Sequence, residues 1–154
     1  GREYDAVHLR FVNLLSDNIE ANQYQALSDD EQKLLVSHCV NKLRFLNCYC
    51  KEKGRKLIIA SDSMTFLEIV KGLLPEVYSV SGQVKHIDNA KQATVDDVLK
   101  LFADMYLLAG AEKVYSLVGE GLYPSAFPEY SAKVGCRPFE RIFLEHYVYH
   151  IPFR

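Results

Sequence analysis

The sequence lacks most of the short patterns that would fix a chemistry at once. There is no G-x-x-x-x-G-K-[ST], so a P-loop is excluded. There is no Asp-x-Asp, and with it goes the usual carboxylate clamp that holds a divalent metal on a diphosphate. The nucleophile elbow G-x-S-x-G is absent. No apolar run approaches the roughly 20 residues that span a bilayer, and the first residues, Gly1-Arg2-Glu3-Tyr4-Asp5, contain no signal-peptide core. Charge of one sign is also missing. The 18 basic and 20 acidic residues are mixed along the chain and leave a net charge of −2, which argues against a nucleic-acid partner. The four cysteines, Cys39, Cys48, Cys50 and Cys136, lack the paired spacing of a zinc site, so no metal is expected. They read as free, buried or half-buried thiols and suggest a reducing compartment. The expected location is cytoplasmic, or membrane-associated on the cytoplasmic side.

What the chain does have is a core. Its 154 residues suit one domain, and 49% of them are hydrophobic, enough to fill it. Short apolar segments alternate with helical periodicity. Residues 5–12 read as a first strand or its end. Ser28 and Glu31 form a capping box at the start of a long helix carrying Leu34, Leu35, His38, Cys39, Lys42, Leu43, Phe45 and Leu46 at mostly helical spacing, and Gly54 ends it. Residues 56–60 read as a buried strand. A turn at Ser61-Asp62-Ser63 leads into a short helix that Pro75 stops. Residues 77–80 form a weaker third strand. Thr94 and Asp97 resemble another cap, before a helix with Val98, Leu101, Phe102, Met105 and Leu108 that Gly110 closes. Residues 113–118 are a fourth strand; a glycine loop through Ser125 opens a helix running to Lys133; residues 139–143 are a fifth strand.

Strands separated by helices of this length imply crossovers. The expected fold is α/β: a doubly wound, mainly parallel sheet of about five strands with helices on both faces, Rossmann-like. Ligands in such sheets bind beyond the carboxyl ends of the strands, where the strand order reverses. For the order 3-2-1-4-5 that point lies between strands one and four, which sets Arg10 opposite the loop of residues 119–127. A guanidinium at Arg10 can hold a phosphate with two parallel hydrogen bonds; equally, it reads as a surface arginine at a strand end. Ser125 opens a helix whose first N–H groups, from Ala126 and Phe127, could receive an anion, or it is simply an N-cap. Asp104, on the flank of an apolar stripe, is by default a solvated carboxylate and otherwise an acceptor for a nucleobase edge. His8 reads as a core histidine or a ligand contact. Gly119-x-Gly121-x-x-Pro124 falls short of the dinucleotide fingerprint, whose third glycine it lacks.

Three segments in order carry a resemblance: Val7-His8-Leu9-Arg10, Asp104-Met105-Tyr106-Leu107-Leu108 and Tyr123-Pro124-Ser125-Ala126-Phe127. They are similar to the His-x-Arg, Asp-x-x-x-Leu and Ser-Ser-Phe motifs of the fucosyltransferase superfamily of α1,6-, α1,2- and protein O-fucosyltransferases. Ile59-Ala60-Ser61-Asp62-Ser63 resembles that family's strand ending in a small-residue–Asp turn. The resemblance implies the donor-binding half of a GT-B glycosyltransferase, with GDP-fucose or a related GDP-sugar as donor substrate, and neither metal nor cofactor. It implies that Arg10 is catalytic, holding the β-phosphate and helping GDP depart. Asp104 would read guanine, His8 would lie near base or ribose, and Ser125, Ala126 and Phe127 would bind the diphosphate, with Asp62 and Ser63 at the neighbouring turn. Ala126 stands where relatives carry a second serine, leaving only its backbone N–H. Asn13 stands near a position where many relatives carry Asp. A glycan or other acceptor and an N-terminal acceptor-binding domain would complete the enzyme, and a fragment of 1–154 alone would be inactive. Two other readings stay open: a nucleotide or dinucleotide module of another enzyme, and a non-catalytic α/β ligand-binding or interaction domain.

Overall fold

The computed structural model describes residues 3–18, 26–79 and 95–144. The order of elements is β1 (Tyr4–Leu9), α1 (Asp29–Glu52), β2 (Lys56–Ser61), α2 (Met64–Leu73), β3 (Tyr78–Ser79), α3 (Val95–Ala109), β4 (Val114–Val118), α4 (Ala126–Val134) and β5 (Phe139–Phe143). The strands form one five-stranded sheet in the order β3-β2-β1-β4-β5, and every pairing is parallel. The α/β fold and the strand order therefore match the reading from periodicity. β4 is buried at all five positions, as a central strand covered on both faces must be.

The two faces are packed differently. On one, Val7, Leu9, Leu57, Ile59 and Leu117 meet Cys39 and Leu43 of α1 and Phe66 and Val70 of α2 in a continuous cluster. On the other, small side chains dominate. Ala6, Ala60 and Val114 pack with Leu108 of α3 and Ala132 of α4. Small residues let the helices and the sheet approach closely. Where α3 and α4 end together, a Cβ at Gly135 would lie 2.1 Å from the Ala109 carbonyl oxygen. His8 belongs to this second face, in register between Ala60 of β2 and Ser116 of β4.

Local signals explain most boundaries. Ser28 and Glu31 form the capping box at α1. Gly54, just past that helix, takes φ +72°, a conformation that favours glycine. One boundary differs from expectation: β1 stops at Leu9 instead of running to residue 12. Asp62 is the cause. Its Oδ1 accepts from Phe11 N at 2.8 Å and its Oδ2 from Val12 N at 3.0 Å, so those two N–H groups are withdrawn from the ladder. The third strand is limited to Tyr78–Ser79; Val80 and the cap expected at Thr94 lie outside the described residues.

Candidate functional site

The candidate site lies at the carboxyl ends of β1 and β4, where the strand order reverses. Beyond β1 the chain bends at once. Two successive N–H groups converge on the Asp62 carboxylate, in the manner of an anion-binding nest, and Val12 sits at φ +57°. A β-branched residue seldom adopts that conformation, and it persists only where its surroundings fix it. Arg10 lies between the end of the strand and this bend. Its carbonyl accepts from Tyr123 N at 3.0 Å, which joins it to the β4–α4 loop. Its guanidinium Nε is buried and has no hydrogen-bond partner among the described residues.

The β4–α4 loop is itself wound tightly. Gly119, Glu120 and Gly121 have φ values of +105°, +53° and +97°, and Leu122 N returns to the Gly119 carbonyl at 3.0 Å. Glu120 reaches back to α1, where both its oxygens lie 2.8 Å from His38 Nδ1. Beside this pair, burial pushes the Cys39 thiol up, and the charge of Glu120 adds to the effect. The loop ends at Ser125, the N-cap of α4, whose Oγ accepts from Phe127 N at 3.3 Å. Of the two helix N–H groups expected to face an anion, that of Phe127 is therefore taken by the cap. Ala126 is exposed at the first helical position. The Phe127 ring stacks at a tilt on His8, with centroids 5.7 Å apart. The end of β1 and the first turn of α4 are thus in contact, and His8, Arg10, Ser125, Ala126 and Phe127 gather in one place.

Asp104 is the main departure from its default reading. It is only 2% exposed, on α3 four residues before the buried Leu108. Lys100 Nζ, one turn earlier, lies 2.6 Å from its Oδ1. Burial raises the Asp104 pKa, and the hydrogen bond and charge of Lys100 oppose that rise. A buried carboxylate with one lysine partner keeps acceptor capacity for another donor.

The remaining expected residues hold the chain itself. Asp62 clamps the bend after β1, as described. Ser63 is the N-cap of α2, accepting from Phe66 N at 3.1 Å and donating its own hydroxyl to Asp17 Oδ2 at 2.7 Å. Asp17 also accepts from Thr65 N at 3.0 Å, so a carboxylate of this chain already occupies the α2 N-terminus. Asn13 Oδ1 accepts from Asn18 N at 3.4 Å within its own loop. Asp17, His38, Lys100 and Glu120 were not among the residues expected at the site. Only Lys100 left a sequence signal, its i,i+4 spacing to Asp104. An open groove of about 530 Å³ lies between α1 and α2, lined by Leu15, Val36, Val40, Arg44 and Ile69 among others; none of the expected site residues borders it.

No family model matches the chain, and no curated protein matches it. Among solved structures, the chain is similar to the NodZ α-1,6-fucosyltransferase co-crystallised with GDP. The TM-score is 0.49 and the identity 22%, over 86% of this chain and 35% of that one. The selenomethionine structure of fucosyltransferase NodZ from Bradyrhizobium gives the same figures: TM-score 0.49, 22% identity, 86% and 35% coverage. The chain spans about a third of the length of these structures. Among the described residues, no helix is long and apolar enough to cross a membrane.

Proposed function

We propose that this chain is the donor-binding domain of a metal-independent, fucosyltransferase-like glycosyltransferase, and that its donor is a GDP-sugar, GDP-fucose first among them. The observation that carries the reading is the buried Arg10 Nε, without a partner among the described residues, at the strand-order switch beside the N-terminus of α4. An unsatisfied buried guanidinium nitrogen is costly, and a phosphate is the acceptor that suits its fork geometry. The three ordered motifs of the sequence supply the identity of the nucleotide.

In this reading Arg10 donates to the β-phosphate and offsets the charge that grows on GDP as the sugar bond breaks. A guanidinium does there what a metal would otherwise do. The Ala126 N–H at the start of α4 adds a second donor for the diphosphate. Asp104 accepts from guanine N1–H and N2–H, and His8, backed by Phe127, flanks the nucleoside. Asp62 acts one step removed, holding the bend that presents Arg10. A dinucleotide on the glycine loop is disfavoured, because that loop carries the buried carboxylate of Glu120. The acceptor, its binding domain and the catalytic base belong to the rest of such an enzyme.

Calorimetric titration with GDP tests the assignment. Arg10→Ala should weaken binding by about 1.5–3 kcal/mol, the range for a charge-assisted hydrogen bond, and Arg10→Lys should recover only part of it. ADP and UDP should bind more weakly than GDP to the wild-type chain. Equal GDP affinity in wild type and Arg10→Ala would refute the role given to Arg10 and with it the site.

A further inference from the structure

We propose that His38 and Glu120 form a latch that positions the β4–α4 loop, and through it the diphosphate end of the site. The inference rests on the nucleotide reading above and adds to it two positioning residues that touch neither base nor sugar.

The Glu120 side chain is 1% exposed and that of His38 10% exposed, so the carboxylate cannot itself meet a ligand. Both Glu120 oxygens lie 2.8 Å from His38 Nδ1, and this contact ties the loop to α1 on the far side of the sheet from α4. Glu120 makes it from φ +53°, between two glycines that are also left-handed. Residues other than glycine, asparagine and aspartate are uncommon there, so Glu120 holds this conformation against its backbone preference. What it anchors is a short, taut path. Leu122 N bonds back to Gly119 O, Tyr123 N bonds to the carbonyl of Arg10, and two residues later Ser125 caps α4. The loop is closely packed where it begins: a Cβ at Gly119 would lie 3.3 Å from Leu144 N. A shift at Glu120 is therefore passed to the Arg10 backbone and to the α4 N-terminus together, the two groups assigned to phosphate. Asp104, assigned to the guanine edge, sits on α3, outside this path, and His8 of β1 meets it through the Phe127 ring.

That division makes the proposal testable with GDP and GMP, which differ by the β-phosphate. Glu120→Gly removes the carboxylate while relieving the left-handed backbone, so the fold should survive. Its GDP affinity should fall by about tenfold to a hundredfold, taking as the scale the loss of a residue that orients a metal ligand, while its GMP affinity holds. Glu120→Gln keeps an acceptor and His38→Asn keeps a donor at the Nδ1 position, and both should retain most of the preference for GDP over GMP. If Glu120→Gly leaves the GDP-to-GMP ratio at its wild-type value, or lowers both affinities equally, the latch is overturned while the nucleotide site stands. If the wild-type chain binds GDP no better than GMP, the diphosphate reading itself falls, and the latch with it.

Discussion

Two arginines at opposite ends of the sheet show how differently this fold treats its two edges. Arg55, beside the amino end of β2, has its Nε 2.9 Å from Asp5 Oδ1 and its Nη2 3.2 Å from Asp5 Oδ2. Asp5 is fully buried and also accepts from Cys50 Sγ at 3.4 Å; burial first, and then the Asp5 charge, push that thiol up to about 12. Every participant there is a residue of this chain. Arg10, at the carboxyl end of β1, has a buried Nε with no such partner among the described residues. Backbone strain follows the same division. Of the non-glycine residues with positive φ, Val12, Ser16 and Glu120 lie in loops beyond the carboxyl ends of β1 and β4. Cys136, at the other end, is an ordinary left-handed cap of α4, with Arg137 N returning to Ala132 O and Cys136 N to Lys133 O. A buried arginine Nε without a hydrogen-bond partner among the described residues occurs at both edges, Arg137 before β5 and Arg10 after β1; what sets the carboxyl edge apart is that its unmet donor lies among strained loops, the condition of a binding edge.

The contrast predicts opposite outcomes for the two arginines. Arg55→Met strands the Asp5 carboxylate in the core and should cost about 3–5 kcal/mol of stability, the range for breaking one side of a buried pair. In a chain of this size that is a fall of roughly 6–20 °C in thermal midpoint. Arg10→Ala should change stability by no more than about 0.5 kcal/mol, its effect being confined to ligand. Urea or thermal unfolding of both variants decides the matter: a loss at Arg10 equal to that at Arg55 would mean that the carboxyl edge is closed as well.

Asp62 sits between these extremes, since it is structural but serves the open edge. Asp62→Ala leaves the buried N–H groups of Phe11 and Val12 without their acceptor and should cost about 1.5–3 kcal/mol. Because the bend it holds presents Arg10, GDP affinity should fall along with stability. Asp62→Asn, which keeps one acceptor oxygen, should lie in between. Stability lost with GDP binding untouched would separate the bend from the site.

The architecture was legible because its determinants are local. The capping box at Ser28, Gly54 after α1, Pro75 after α2 and the all-apolar β4 each mark an element within a few residues of where it begins or ends. What escaped the sequence depends on partners distant in the chain. β1 ends where it does because of Asp62, 51 positions from Phe11, and Glu120 is fixed by His38 across 82 positions. α3 shows a second kind of ambiguity. Phe102, read as a core position, is 47% exposed, in line with exposed Val95, Leu99 and Tyr106. The helix carries apolar residues on two sides, and periodicity alone cannot say which side faces the sheet. The same uncertainty hid the burial of Asp104.

Asp104 gives the smallest expected effect and the finest probe of the open edge. Its pKa is raised in the folded chain, by burial first, with Lys100 acting against that. A raised folded-state pKa means that the folded protein holds the proton more tightly than the unfolded chain does. The stability this contributes is fully present below the unfolded value, near 3.9, and is lost as pH rises through the folded value. At neutral pH the ionised carboxylate is thus a cost, unlike a carboxylate whose pairing is complete. Asp104→Asn cannot ionise, so the stability of wild type relative to the variant should decline as pH is raised from 4 to 7, with a change within about 1 kcal/mol. Urea midpoints of the two proteins at several pH values measure it. Guanine N1–H and N2–H would supply the donors the carboxylate lacks, so saturating GDP should flatten the slope in wild type and leave the variant unchanged. A wild type that instead gains on Asp104→Asn as pH rises would show a fully satisfied carboxylate, closed by Lys100 as Asp5 is by Arg55, and would remove Asp104 from the nucleotide site.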